Sequence, residues 1–411
     1  MTGTTATPIV IVGGCGHVGL PLGIVLAESG CDVHLLDINA ATVSTVNSGM
    51  MPFTEAGAEA RLRRVIGTRL RATTDESCLA ETEIAITVVG TPVDDHLNPT
   101  VKHFYSVVDS ILNRVRDGAL IILRSTLYPG VSKLVQDRIA ALGRSVEVAY
   151  CPERIAENHA LEELRSLPQI VSAFTPQAYE RAAALFLRIA PEVIRLDPME
   201  AELAKLFTNS WRYLNFATSN QFYMLASHHG LDYTRIHEAT TRNYPRMRMF
   251  ARAGFAAGPC LLKDTLQLAA FSGNQFLLGH AAMLVNEGLP NFILLRLRQS
   301  VDISTKTVAI LGMAFKAESD DGRDSLSYKL KHLLEVQASR VLCTDPYVKD
   351  PALVPLETAL RDADVLILGA PHAVYKDLAI PPGKVVVDVW GFWKQKDMAD
   401  IFVAAAPGSR L

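Results

Sequence analysis

The sequence predicts an α/β chain in which two doubly wound parallel-sheet regions are joined by a central helical region. Three observations predict it. Between Pro8 and about Ala190, short apolar β-branched runs alternate with longer amphipathic segments, the pattern of a parallel sheet with helical crossovers. From about Asp197 to Arg298 strand signals nearly vanish and long helical stretches replace them. After the polar joint SVDISTK, short apolar runs return. At 411 residues the chain exceeds what one compact domain usually holds. The expected boundaries are 1–196, 197–300 and 301–411.

In the first region PIVIVGG, CDVHLLDI, EIAITVVGT, ALIILRST and SVEVAYCP read as strands. The middle opens on MEAELAKLFTNSWRYLNFATSNQFYMLASHHG, a long helical pattern that Gly230 can stop, and LLKDTLQLAAF is a further helix. In the third region KTVAILGMAF, SRVLCTDP, ADVLILGA and KVVVDVWG read as four more strands. The first of these, with Asp345 after the second, loosely echoes the start of the chain, a similarity that parallel-sheet physics alone can produce.

Charged residues make up 20% of the chain and hydrophobic ones 49%, with a net charge of -3. This is ordinary globular composition, with no electrostatic reason to expect nucleic acid or an anionic membrane as partner. A small anionic ligand stays open through local basic residues. No apolar run approaches the roughly 20 residues of a membrane helix, and MTGTTATP lacks the basic and apolar regions of a secretory signal. Six scattered cysteines, with no C-x-x-C pair, suggest neither a disulfide framework nor a zinc site. The expectation is a reducing, cytoplasmic location and no metal.

The segment IVIVGGCGHVGLPLGIVLAESG sets Gly14, Gly16 and Gly19 as G-x-G-x-x-G between a strand and a helix. In a Rossmann-like fold these glycines give a tight turn, close approach of backbone to a pyrophosphate, and close packing of helix on strand. The helix N-terminus then offers N–H groups to phosphate. Asp37, eighteen residues after Gly19, stands where an acid accepts hydrogen bonds from the adenosine ribose and disfavours a 2′-phosphate, which points to NAD over NADP.

Further motifs follow in order: VVGTPVDD around Thr91, RSTLYPG around Thr126, YCPERIAEN with Glu153 and Glu157, EAELAKLFTN with Lys205 and Asn209, GPCLLKDT, and LGMAFKAESDDGRDS with Lys316 and Arg323. Together with the glycine loop they resemble the UDP-glucose/GDP-mannose dehydrogenase family of nucleotide-sugar 6-dehydrogenases, over almost the whole chain. The resemblance implies oxidation of the C6 alcohol of a nucleotide sugar, a UDP-sugar here, to a carboxylate with two NAD in succession. It also implies two Rossmann-like domains, an N-terminal one for NAD and a C-terminal one for the nucleotide sugar, and a homodimer formed through the central helices.

Such chemistry makes specific demands. Lys205 and Asn209, four apart on a predicted helix, project from one face and can hold one oxygen or water. The same pattern also suits a solvated helical face with a Glu202–Lys205 pair. Family resemblance assigns Lys205, Asn209 and Asp264 to stabilising oxyanions. An aldehyde gives up a second hydride only after a nucleophile adds to it, and a thiolate does this through a thiohemiacetal and a thioester. Cys260 lies at a predicted helix start with Lys263 within reach, and both lower a thiol pKa. By resemblance Glu153 and Glu157 lie near the reacting carbon, Glu157 orienting the hydrolytic water. Thr126 helps hold that water and the cofactor, and Thr91, Lys263 and Arg323 are cofactor contacts. Lys316 reaches substrate, and Arg246 and Arg248 match the diphosphate site loosely.

The chain also departs from the family pattern. Ala257 and Pro259 in GFAAGPC replace a glycine and a serine or histidine, and Gln221 after Asn220 replaces a glutamate. PER resembles the branch acting on UDP-N-acetylhexosamines, whereas Glu157 is as in the UDP-glucose branch; both sugars stay open. Two other readings compete. A two-electron dehydrogenase of the 6-phosphogluconate or 3-hydroxyacid type leaves Cys260 and the third region without purpose. A catalytically inactive protein that binds NAD or a sugar nucleotide needs no nucleophile.

Overall fold

A computed structural model describes residues 8–91, 101–255, 258 and 260–393. The chain divides into two compact units, Met1–Thr208 and Asn209–Leu411. The first is built on strands β1 (Pro8–Val12), β2 (Asp32–Leu36), β3 (Leu70–Thr73), β4 (Ile84–Thr87), β5 (Leu120–Leu123), β6 (Glu147–Tyr150), β7 (Gln169–Ala173) and β8 (Val193–Arg195). Their order is β3-β2-β1-β4-β5-β6-β7-β8, parallel except where β7 pairs with β6. Helices α1 (Gly19–Glu28), α2 (Ala40–Asn47), α3 (Ala58–Val65), α4 (Val101–Leu112), α5 (Val131–Ala141), α6 (Ala160–Ser166) and α7 (Pro176–Phe186) connect them.

Both faces of this sheet are covered, which is why its central strands read as continuous apolar runs. Along β1 the side chains alternate between two cores: Ile9 and Ile11 pack with Leu20 and Ile24 of α1, and Val10 packs with Phe104 and Val108 of α4. Strand order reverses between β1 and β4, and in open α/β sheets the crevice outside the carboxyl ends at such a point takes the ligand. Three strands, β3, β7 and β8, lie outside the sequence expectation. β3 and β8 are short edge strands, and β7 carries buried Gln169 and Ser172, whose side chains are satisfied by the carbonyls of Ile170 and Tyr150 at 2.7 and 2.9 Å.

Helix α8 (Pro198–His228) runs for 31 residues, and Gly230, at φ +65, follows its end as expected. Helices α9 (Tyr233–Thr241), α10 (Leu261–Phe271) and α11 (Leu277–Ser300) come next. Four parallel strands complete the second unit, β9 (Thr307–Leu311), β10 (Arg340–Thr344), β11 (Val365–Leu368) and β12 (Val385–Val387), in the order β10-β9-β11-β12, with α12 (Leu326–Glu335) and α13 (Leu356–Asp362) between them. Leu289, Ile293 and Leu297 of α11 pack with Leu326, Leu330 and Leu334 of α12, each set spaced by four along its helix.

The echo between the two sheets extends to their hydrogen bonds. Asp37, after β2, accepts the Cys15 amide at 3.1 Å; Asp345, after β10, accepts those of Met313 and Ala314 at 2.6 and 3.0 Å. Burial opposes ionisation of Asp345, but His372 and the amides of Val348 and Tyr347 prevail and hold its carboxyl at about 2. Among the described residues no helix is long and apolar enough to cross a membrane.

Candidate active site

The opening loop lies at the reversal of the first sheet. A Cβ on Gly14 would meet the Ile11 carbonyl oxygen at 2.7 Å, and one on Gly19 would meet Gly14 Cα at 2.7 Å. These two glycines are required by the protein's own packing. Gly16 differs, because a Cβ there would come no closer than 3.8 Å to Gly13 O. Internal packing does not require glycine at this position, and the space beside it suits the close approach of a pyrophosphate. Val18 at the N-cap of α1 offers no capping side chain, and the helix has no acid in its first turn. Asp37 accepts Cys15 N and Asn39 N, both at 3.1 Å, one on each oxygen, so each oxygen keeps a lone pair for a ribose hydroxyl. These features fit a dinucleotide. Thr91 donates to the carbonyl of Thr126 at 2.7 Å, tying together the segments that follow β4 and β5.

After β6 the chain forms a loop that carries Glu153 and Glu157 to the start of α6. Arg124, 1% exposed at the end of β5, donates through Nε to Glu153 Oε2 at 2.7 Å and through Nη1 to Cys151 O and Gln169 Oε1 at 3.1 and 2.9 Å. Glu153 Oε1 accepts the amides of Arg154 and Ile155 at 2.6 and 2.9 Å. Its carboxylate is therefore committed to a buried ion pair and its own backbone. Glu157 is half-buried within the same loop. The Arg of RSTLYPG was visible in the sequence, a lone cation after ALIIL, but nothing there pointed to its partner.

In the second unit Cys260 is the N-cap residue of α10 and is exposed. This excludes a buried filler role for it. Cys15, Cys151 and Cys343 are buried, with thiols pushed up to about 12 chiefly by that burial, and Cys78 is pushed to about 11 for the same reason. Asp264, one turn into α10 and fully buried, accepts from Asn209 Nδ2 at 2.6 Å, and Lys263 Nζ lies 2.9 Å from its other oxygen. Asn209 is 4% exposed on α8, which also carries the half-buried Lys205 four residues earlier. Glu202 is buried and accepts the amides of Gly130 and Ser132 at 2.6 and 2.9 Å, so this part of α8 is no solvated face.

The loop before Cys260 is held at two points. Asn220 Oδ1 accepts the Gly254 amide at 2.8 Å, while Asn220 Nδ2 donates to Asn286 at 2.9 Å. Gly258 has φ +101, and a Cβ there would meet the Phe315 ring at 2.5 Å, so glycine is required both for its backbone and for its contact. That contact sets the cysteine loop against the segment carrying Lys316, whose Nζ lies 5.6 Å from the Phe315 ring centroid. Arg323 is exposed and grips Asp321 through Nε and Nη2, closing the loop on itself. Arg246 and Arg248 are exposed, and Arg246 donates to Tyr244 Oη at 2.9 Å. Ala257 and Pro259 lie outside the described residues.

Family models match most of the chain in three segments. They are those of the UDP-glucose/GDP-mannose dehydrogenase family: the NAD binding domain at residues 8–190, the central domain at 199–287, and the UDP binding domain at 309–395. The chain is 28% identical to an NDP-N-acetyl-D-galactosaminuronic acid dehydrogenase of Ralstonia nicotianae, over 95% of this chain and 97% of that one. It is 30% identical to the UDP-glucose 6-dehydrogenase AglM of Haloferax volcanii, over 81% and 82%. Among solved structures, the UDP-D-ManNAc dehydrogenase of Pyrococcus horikoshii superposes with a TM-score of 0.89 at 25% identity, covering 97% of this chain and 99% of that one. With these three segments in family order on a fold whose first loop fits a dinucleotide, the chain belongs to the UDP-glucose/GDP-mannose dehydrogenase family and is an NAD-dependent nucleotide-sugar dehydrogenase.

Proposed function

We propose that this enzyme is a UDP-sugar 6-dehydrogenase that oxidises the C6 hydroxymethyl of a UDP-N-acetylhexosamine to the uronate in a four-electron reaction. The observation that carries the four-electron reading is the exposed Cys260 at the start of α10, beside Lys263 and the Asn209–Asp264 pair. PER at 152–154, and the N-acetylated sugars in the names of the Ralstonia and Pyrococcus proteins, support the choice of sugar. Glu157 and the likeness to AglM favour UDP-glucose as the second reading.

When bound, NAD serves as hydride acceptor for each oxidation. In the first, the C6 hydroxyl passes its proton to a water held by Lys205, Asn209 and Asp264 as hydride leaves the carbon. The Cys260 thiolate then adds to the aldehyde carbon, and Lys205 and Asn209 stabilise the oxyanion. Loss of the second hydride gives a thioester. Glu157 takes a proton from a water that Thr126 helps hold; the water oxygen bonds to the carbonyl carbon, the C–S bond breaks, and Cys260 returns as thiolate. Gly14, Gly16, Gly19, Asp37, Thr91, Lys263 and Arg323 contact the cofactor in this reading, and Lys316, Arg246 and Arg248 the UDP-sugar. NAD is bound by 1–196 and UDP by 301–411.

An absorbance screen for NADH against UDP- and GDP-sugars, with the N-acetylated ones included, tests this reading. The expected result is turnover of a UDP-N-acetylhexosamine with two NADH formed per sugar oxidised. A ratio of one overturns the four-electron reading, and turnover of UDP-glucose alone overturns the sugar assignment.

The central region, 197–300, is read as the dimerisation region. Phe207, Trp211, Phe222 and Leu225 recur along one side of α8 at helical spacing and are 46–59% exposed. Exposed apolar side chains gathered on one side of a helix mark an interaction surface. Light scattering should give a dimer for the native chain and a monomer for Trp211→Glu; an unchanged mass on substitution removes α8 from the interface.

A further inference from the structure

Glu157 is flanked by residues whose backbone amides end on carboxylates. Ala156 N donates to Glu163 Oε2 at 2.5 Å. On the other side, Asn158 N and Ala160 N donate to Glu55 Oε2 and Oε1 at 2.7 and 2.9 Å. Glu55 comes from FTEAGAE, ahead of α3 and about a hundred residues away, and is 8% exposed. The link is reciprocal, since Asn158 Oδ1 accepts the Ala56 amide at 2.9 Å. Asn158 itself is in the left-handed region, at φ +66, where the chain turns immediately after Glu157.

A buried carboxylate is unfavourable unless its oxygens are hydrogen-bonded, and among the described residues Glu55 has no cationic partner. Both of its oxygens are instead spent on the two amides that bracket the turn after Glu157. A shorter capping side chain would satisfy one of them; a carboxylate satisfies both and fixes their spacing. We propose that Glu55 is a positioning residue for Glu157, holding the turn that aims the Glu157 carboxylate at the hydrolytic water. The proposal rests on the reading of Glu157 as the group that takes the proton from that water while its oxygen bonds to the thioester carbon and Cys260 leaves as thiolate.

Glu55→Gln keeps the size of the side chain but sets an NH2 donor against one of the two amides. Its kcat is expected to fall by roughly tenfold to a hundredfold, the scale of a small misplacement of a reacting group. KM for the UDP-sugar is expected to fall in step, leaving kcat/KM unchanged, because the steps up to the thioester are untouched. In rapid mixing the burst of two NADH per subunit persists, because both oxidations precede hydrolysis, and only the slow phase falls. Glu55→Asp, with both oxygens present, should restore part of the rate. In a Glu157→Gln background, Glu55→Gln should cost nothing further, since the two act through one group.

A full loss on top of Glu157→Gln, a lost burst, or an unchanged slow phase in folded Glu55→Gln overturns the proposal. If Glu157→Gln itself hydrolyses at the native rate, the water-activator reading fails first, and the proposal with it. Where Glu55→Gln does not fold, Asn158→Gly keeps the left-handed turn and removes the bond to Ala56 N. The same preserved burst with a slowed second phase is expected of it, and a native slow phase overturns the proposal.

Discussion

Cys260→Ser is expected to abolish uronate formation while dinucleotide binding stays intact. A serine hydroxyl occupies nearly the same space but remains protonated at neutral pH, so it does not add to the aldehyde as a thiolate does. The loss should be on the order of a thousandfold or more, the scale of removing the nucleophile from a covalent mechanism. No neighbouring thiol rescues it: Cys15, Cys151 and Cys343 are buried with thiols raised to about 12, and Cys78 is raised to about 11. NAD binding should survive, because the glycine loop and Asp37 belong to the other compact unit. The check is uronate measured by mass spectrometry beside an NAD titration followed by fluorescence. Uronate formed by Cys260→Ser at the native rate removes Cys260 from the mechanism and returns the enzyme to direct oxidation of a hydrated aldehyde.

Features that follow from local periodicity were legible before the fold was known. The apolar runs of β1, β4 and β5 and the helical spacing of α8 and α10 are short-range properties, and so is G-x-G-x-x-G, where three glycines meet constraints within a single turn. The same four-residue spacing had two different outcomes. It sets Lys205 and Asn209 on one face because α8 is a helix there. It does nothing comparable for Glu153 and Glu157, because their segment is a loop that ends in the left-handed Asn158. The partners of Glu55, Arg124 and Asn220 left no sequence signal, since each acts across the fold: Glu55 on Asn158, Arg124 on Glu153, Asn220 on Gly254. Pairs joined across 29 to 103 residues are chosen by geometry, and a single sequence carries no pattern for them.

Glu153→Ala is expected to destabilise the first unit before it affects chemistry. Arg124 is buried, and Glu153 is the carboxylate paired with it. Removing that partner leaves a guanidinium in the core, and breaking a buried pair from one side costs about 3–5 kcal/mol. Against a typical total of about 5–15 kcal/mol this is a large fraction of the stability. The melting temperature should fall by on the order of 10 °C, read by calorimetry. Glu153→Gln should be milder, because its carbonyl oxygen can still accept the Arg154 and Ile155 amides. The family resemblance instead set Glu153 beside the reacting carbon, and the two roles make opposite predictions. A substrate contact gives a raised KM or lowered kcat at native stability. An anchor gives a lowered melting point in both variants, and near-native kinetics for whatever fraction of Glu153→Gln stays folded. Arg124→Met separates the two further, because it removes the buried charge without touching the carboxylate. If Glu153 is an anchor, the double variant Arg124→Met with Glu153→Gln should be more stable than Glu153→Gln alone, since no unpaired cation remains in the core.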